Sequence, residues 1–263
     1  MYDYKDITFA ICAYKESIYL QKCIDSLRKQ CDRVNIIICT STPNEYIKEI
    51  AQKNKIKLYI RDGKSSLAED WNFAIKCADT SLVTLCHQDD YYLKKYGEKV
   101  IEAVNKSNDF IIVYTDYIED KNGKLERNNI NLRIKRLLNR PMKKQKNWVK
   151  IKVRRRILSM GNPICCPSVT YNKKAIDENL FDQQFKNATD WDAWERLSNK
   201  KGAFIYISEC LMAHRVHADS TTSANIKNHT RTKEDKIIFS RFWPKGVAIL
   251  MAKVFSLSEK NNG

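Results

Sequence analysis

With 263 residues, 43% of them hydrophobic and only 7 glycines and 5 prolines, the chain can bury a full core, which excludes disordered and fibrous classes for its bulk. Its formal net charge of +16 would by itself suggest a polyanionic partner such as nucleic acid, an anionic membrane surface or a phosphorylated substrate. Most of that excess is local, because Arg133 to Arg156 holds twelve Lys or Arg and no Asp or Glu.

The opening "MYDYKDITFAIC" has no basic start, apolar stretch and cleavage site, and no apolar run reaches ~18 residues, so neither export nor a membrane span is expected. "ITFAICA" (7–13) reads as a strand, and Leu20, Cys23, Ile24, Leu27 and Cys31 then recur at helical spacing. "NIIICT" (35–40) is a second strand. In "TPNE", Thr42 and Glu45 form a capping box with Pro43 at the first helical position. "IKLYI" (56–60) is a third strand, and Ser66 with Glu69 opens a helix burying Leu67, Trp71, Ala74 and Ala78. "SLVTLC" (81–86) is the fourth, and a helix through Val100, Ile101 and Val104 leads to "FIIVYTDY" (110–117). Beyond the basic segment come "NPICCPSVTYNK" (162–173), an acidic-aromatic helix (188–202), a strand "AFIYIS" (203–208) and "LMAHRVHADSTTS" (211–223). The end (236–260) reads as an amphipathic helix pair broken at Pro244. Strands separated by helices in this rhythm predict an α/β fold, a mostly parallel Rossmann-like sheet with helices on both faces. Cys12, Cys39, Cys77 and Cys86 lie inside apolar runs and no CxxC pair occurs, which reads as core thiols in a reducing cytoplasm.

Ligands of open α/β sheets bind outside the carboxyl ends of the strands, and "HQDD" (87–90) follows such an end. Adjacent carboxylates are costly unless offset, and a hard divalent cation that also grips a diphosphate does this; a surface turn with Asp as a helix cap is the bland alternative. Asp190 and Asp192 in "DWD" could cap a helix or supply an aspartate base in an aromatic pocket. His214, Arg215 and His217 could provide a metal ligand and a phosphate contact, or be ordinary hydrogen-bonded residues. GxSxG, GxGxxG and Walker A sequences are all missing.

In their order of appearance, "ICAYKESIYLQKCIDSL", "SLAEDWNFAIKCADTSLVTLCHQDD", "DWDAW" and "HRVHADSTTS" resemble the family 2 inverting glycosyltransferases of GT-A fold, over residues 7 to about 223. The resemblance implies transfer of a sugar from a nucleotide-sugar donor to an acceptor hydroxyl with inversion, assisted by Mn²⁺ or Mg²⁺. It assigns Asp190 as catalytic base and Asp90 and His217 as metal ligands. Ala13, Tyr14, Glu16, Thr40, Asn72, Asp89 and Arg215 become donor-binding residues, with Tyr14 stacking on the base, Asp89 near the ribose, and Arg215 and His217 closing over the diphosphate. Two departures stand out: His87 replaces the first aspartate of the DxD motif, and "CTSTPN" follows the second strand where aspartates often read the base.

The expected organisation is a GT-A domain over 1–223, divided into a nucleotide-sugar half (1–117), a basic amphipathic insertion (133–156) and an acceptor half (157–223), followed by C-terminal helices (224–263). In the insertion Ile134, Leu137, Leu138, Trp148, Ile151 and Val153 alternate with cations, a pattern that suits either an anionic membrane surface or a solvated loop. The family includes enzymes of cell-surface polysaccharide synthesis, so a glycan or lipid-linked acceptor and a peripheral position at the inner face of the cell membrane are expected. Two rivals remain. A nucleotidyltransferase would carry a Gly-rich loop after the first strand, where "CAYKES" has none. A nucleic-acid-binding module would leave "DD" and "DWD" without a role, so no nucleic-acid partner is expected.

Overall fold

β1 (Ile7–Ala13) is apolar at every position but Thr8 because it is covered on both faces and flanked on both edges: β2 (Asn35–Thr40) and β4 (Leu82–His87) pair with it in parallel. β3 (Lys57–Ile60) adds to β2 in parallel as an edge strand and is correspondingly half exposed. The computed structural model describes residues 1–31, 33–107, 109–216 and 230–260. Its further strands are β5 (Tyr91–Tyr92), β6 (Phe110–Lys121), β7 (Lys124–Glu126), β8 (Val169–Asn172) and β9 (Ala203–Val216). All join one sheet in the order β3-β2-β1-β4-β8-β6-β9-β5, with β7 beside β6.

The expected parallel arrangement holds for β3-β2-β1-β4 and for β6 beside β9. Between these blocks β8 runs antiparallel to both β4 and β6, so the sheet as a whole is mixed. β9 continues well past Ser208, to Val216, because register shifts on either side of Asp116 let Ser208, Glu209 and Leu211 bulge out while Cys210 pairs with Asp116 and Met212 to Val216 resume regular pairing.

Helices cover both faces. α1 (Leu20–Arg28), α2 (Glu45–Lys53), α4 (Tyr96–Val104) and α5 (Ile130–Asn139) pack on one core with Phe9, Ile11, Leu82, Cys86 and Val113. α3 (Leu67–Cys77), α6 (Ile151–Leu158), α7 (Thr189–Ser198), α8 (Thr230–Ser240) and α9 (Lys245–Lys260) close the other with Ala10, Val83, Leu85 and Ile112. The alternation of these strand residues between cores is the period-2 geometry of a two-sided sheet. The α8–α9 pair is part of this packing: Trp191 meets Phe239 and Phe255 at ring-centroid distances of 4.9 and 5.6 Å, and Trp243 Nε1 donates to Ser159 O.

Two expected caps differ. α2 is capped by Asn44, whose Oδ1 accepts from Ile47 N at 2.9 Å; Thr42 lies two residues too early and instead accepts from Lys15 N. Ser66 does stand at the N-cap of α3, but its side chain makes no capping bond, so no Ser66–Glu69 box forms.

The basic segment is not a loop. α5 lies along β6, tied to it by Asn129 to Glu119, Lys135 to Tyr117, Arg136 to Asp116 and Tyr114 to Asn139. Arg154 and Arg155 also turn inward, the first to Lys200 O and Gly202 O and the second to Glu195. With these cations used inside, Ile130, Ile134 and Leu137 form an exposed stripe on α5. Among the described residues no helix is long and apolar enough to cross a membrane, and all nine cysteines are free thiols.

Candidate active site

The carboxyl ends of β1, β2 and β4 are stitched together by side chains. Gln88, buried just after β4, accepts from Tyr14 N at 3.0 Å and donates to Tyr14 O at 2.8 Å, fixing the backbone where β1 ends. Tyr14 itself is 48% exposed, with Lys15 Nζ 5.1 Å from its ring centroid. Next to it Lys15 adopts a left-handed φ of 53° and its N–H donates to Thr42 Oγ1, which ties β1 to the segment after β2. Thr40 is buried and its Oγ1 accepts from Thr42 N, while Ala13 is buried and Glu16 exposed. Ser41, Arg61 and Ser65 converge on Asp70 of α3, with Arg61 Nε at 2.8 Å from its carboxylate.

Asp89 and Asp90 have different surroundings. Asp89 Oδ1 accepts from Ser17 Oγ at 2.7 Å. Asp90 is 2% exposed and meets the end of β9: its Oδ1 accepts from Arg215 N at 2.8 Å and faces His214 Nδ1 at 3.1 Å, while His87 Nδ1 lies 3.8 Å from Oδ2. Burial works to raise the Asp90 pKa, but the charge and hydrogen bond of His214, with His87 and the Arg215 N–H, hold it below the usual carboxylate value. His214 is the counterpart: burial disfavours its imidazolium, yet Asp90 raises its pKa above the ordinary histidine value. His87 goes the other way, lowered chiefly by burial, and its ring stacks on Trp71 at 5.2 Å.

Arg215 is buried with its guanidinium 4.1 Å from the Tyr19 ring centroid. Its Nε donates to Asp89 O at 2.9 Å and its Nη1 to Asp120 Oδ2 at 3.0 Å, so it braces the aspartate pair from behind. Asn72 is also engaged: its amide donates to Phe181 O and accepts from Phe181 N, at 2.8 and 2.9 Å. His217 lies outside the described residues.

On α7 the two aspartates part company. Asp192 is fully buried in ion pairs with Arg196 and Arg241, each at 2.7 Å. Asp190 accepts from Asn162 Nδ2 and from Trp191 N, both at 2.8 Å. The second bond is local, to the next residue on the helix, and the first ties α7 to the segment after α6.

A divalent cation can be tested against these donors. A carboxylate oxygen and an imidazole nitrogen 3.1 Å apart, as in Asp90 and His214, have about the separation that two neighbouring ligands at ~2.1 Å subtend on one ion. No group of three or more His, Cys, Asp or Glu able to hold a metal exists among the described residues. Ions of the Mg²⁺ type commonly take one or two protein ligands and draw the rest from substrate phosphates, so this sparse pair fits a cation shared with a diphosphate.

A family model described as "Glycosyl transferase family 2" matches residues 8–181, well over half of the chain and all of the segments just described except α7 and the end of β9. The chain belongs to glycosyl transferase family 2. A comparison with curated proteins found no match. Among solved structures, S. aureus TarS 1–349 in complex with UDP-GlcNAc superposes with a TM-score of 0.64 at 12% identity, covering 89% of this chain and 64% of that one. The mannosyltransferase PcManGT from Pyrobaculum calidifontis, in complex with GDP-Man and Mn²⁺, gives 0.62 at 11% identity, covering 98% and 76%. At such identities the likeness concerns the fold, which is the GT-A α/β architecture. This chain spans only 64% of the TarS chain.

Several residues of this candidate site escaped the sequence reading. Gln88, Ser17, His214 as the partner of Asp90, and Asn162 act through contacts between segments far apart in the chain. Only "HQ" beside "DD" offered a local hint, as polar residues continuing a buried strand.

Proposed function

We propose that the protein is an inverting glycosyltransferase moving a sugar from a nucleotide-sugar donor to an acceptor hydroxyl. The observations that support this reading most are the family match over residues 8–181 and the place of Asp190 at the start of α7, where Asn162 Nδ2 donates to its carboxylate at 2.8 Å. In this reading Asp190 accepts the acceptor's proton as the hydroxyl attacks the anomeric carbon from the face opposite the diphosphate. One base suffices, unlike the two carboxyls of a glycosidase. The base-side pocket comprises Ala13, Tyr14, Glu16 and Thr40, with Tyr14 stacking on the base and Asp89 reaching the ribose. Asn72 and Arg215 act by bracing: Asn72 fixes the Phe181 backbone and Arg215 the aspartate pair. A bound Mn²⁺ or Mg²⁺, held by Asp90 and His214 with His217 as a further candidate, would offset charge on the departing diphosphate. UDP- and GDP-sugars, found on the two structural neighbours, are the first donors to try.

The acceptor is proposed to be a glycan or lipid-linked glycan of cell-surface polysaccharide synthesis, met at the cytoplasmic face of the membrane. The exposed Ile130, Ile134 and Leu137 stripe supports this, since from residue 127 to 176 no acidic residue interrupts the surrounding cations. The domain boundaries expected from sequence, 1–223 and 224–263, are retained as functional units, with α8 and α9 serving the catalytic half.

The test is Asp190→Asn, with nucleoside diphosphate release measured over a panel of UDP- and GDP-sugars. The amide keeps the size and some capping ability but is a far weaker base, so turnover should fall by about 10² to 10⁴ while donor affinity and melting temperature hold. A stable variant with near-normal turnover removes Asp190 from the mechanism.

A further inference from the structure

We propose that Glu234, on α8, is a positioning residue for Asp190; this rests on the reading of Asp190 as the base. α7 starts without a side-chain cap, since its N-cap position is Ala188. One carboxylate takes the three backbone N–H groups leading into it. Lys186 N donates to Glu234 Oε1 at 2.9 Å, and Asn187 N and Ala188 N donate to Oε2 at 2.8 and 2.9 Å. Glu234 is 6% exposed, so water competes little for these charge-assisted bonds, and the helix N-terminus adds a favourable dipole.

The same C-terminal segment grips α7 just beyond Asp190. The Trp191 ring packs on Phe239, and Arg241 Nη1 reaches Asp192 at 2.7 Å and Glu195 at 3.1 Å. The backbone is therefore held by the C-terminal segment before and after Asp190, while the Asp190 carboxylate accepts from Asn162 Nδ2. A general base works only within hydrogen-bond reach of its proton, and a misplacement of about 1 Å can cost about 10²-fold in rate. Glu234 sets that placement without touching substrate.

The experiment compares the full-length wild type, Glu234→Gln, Glu234→Ala, Asp190→Asn and the double variant Glu234→Gln/Asp190→Asn. Turnover is read as nucleoside diphosphate release from UDP-GlcNAc and GDP-mannose, binding by calorimetry with UDP and GDP, and folding by thermal melts. Glu234→Gln keeps one acceptor oxygen and the packing, so it should fold and bind nucleotide as the wild type does. Its kcat should fall about 10-fold or more with donor KM unchanged, and Glu234→Ala, where it folds, should fall further. In the Asp190→Asn background Glu234→Gln should lower the residual rate no further, because the group it positions has already been disabled. A folded Glu234→Gln with wild-type kcat overturns the proposal, as does a drop of the same factor in both backgrounds. Near-normal turnover by Asp190→Asn alone overturns the base assignment itself, a result distinct from a slow Asp190→Asn beside an unaffected Glu234→Gln.

Discussion

Asp190 and Asp192, two positions apart on α7, meet different partners and so should fail differently. Asp192 is fully buried between two arginines that are each about a third exposed. Asp192→Ala should cost about 3 kcal/mol, the low end of breaking a buried pair because the arginines can still reach water, and a urea midpoint measures it. Around Asp90, pH acts through three groups. His214, with its pKa raised, contributes stability that is fully present below about pH 6.5 and is lost as pH rises through the raised value. His87, with its pKa lowered, runs the other way: the unfolded chain takes up a proton that the folded site refuses, so stability is lost as pH falls through about 6.5. Asp90, also lowered, contributes above the ordinary carboxylate range and loses that contribution only in acid. In EDTA, His214→Gln should therefore flatten the fall in melting temperature above neutral pH and His87→Gln the fall below it, checked by melts from about pH 5 to 9. Asp89, Asp90 and Asp190 were legible in the sequence because their spacing against a strand end or helix start is local information. His214, Gln88, Asn162 and Glu234 were not, because each gains its role from a partner that only the sheet brings near.

At the level of elements, α5 shows why a count of charges does not say which of them face solvent. Lys135 and Arg136 face β6, and the apolar Ile130, Ile134 and Leu137 face out, so the helix carries its amphipathicity with some cations on the protein side. Exposed Arg133, Arg140, Lys143, Lys144 and Lys146 remain around the stripe. Sedimentation with anionic vesicles should be strong at low salt and fall as salt shortens the Debye length from about 10 Å at 0.1 M. Ile134→Ser with Leu137→Ser should release the protein without altering its melt, and reversing Lys143, Lys144 and Lys146 should weaken binding. Persistence through both changes would point to the exposed Val247, Leu250 and Val254 of α9. β1 and β2 were read from the sequence to their observed ends because their runs are continuous and bounded by polar residues. The turns between α5 and α6 and the second half of β9 were missed, since 3-10 turns and a bulged strand have no period to detect.

For the molecule as a whole, a nucleotide that bridges the β1, β2 and β4 ends should stabilise everything those strands hold together. At a free concentration 100 times its Kd, UDP or GDP with Mn²⁺ should add about 2.7 kcal/mol, seen as a rise in melting temperature that EDTA reduces. Asp90→Ala should abolish the EDTA-sensitive part, and equal shifts with Mn²⁺ and EDTA would argue against a shared cation. The place of β8 in the sheet has a further consequence, for the chain as it is being made. β3, β2, β1 and β4 can assemble once residue 87 has left the ribosome, but the other edge of β4 waits for β8, which begins at residue 169. At about 5–20 residues per second that wait is roughly 4–16 s, during which a largely apolar strand with unpaired N–H and C=O groups faces solvent. The nascent chain is thus most open to strand-to-strand misassociation in that interval, and slow translation between the emergence of β4 and the emergence of β8 would lengthen it.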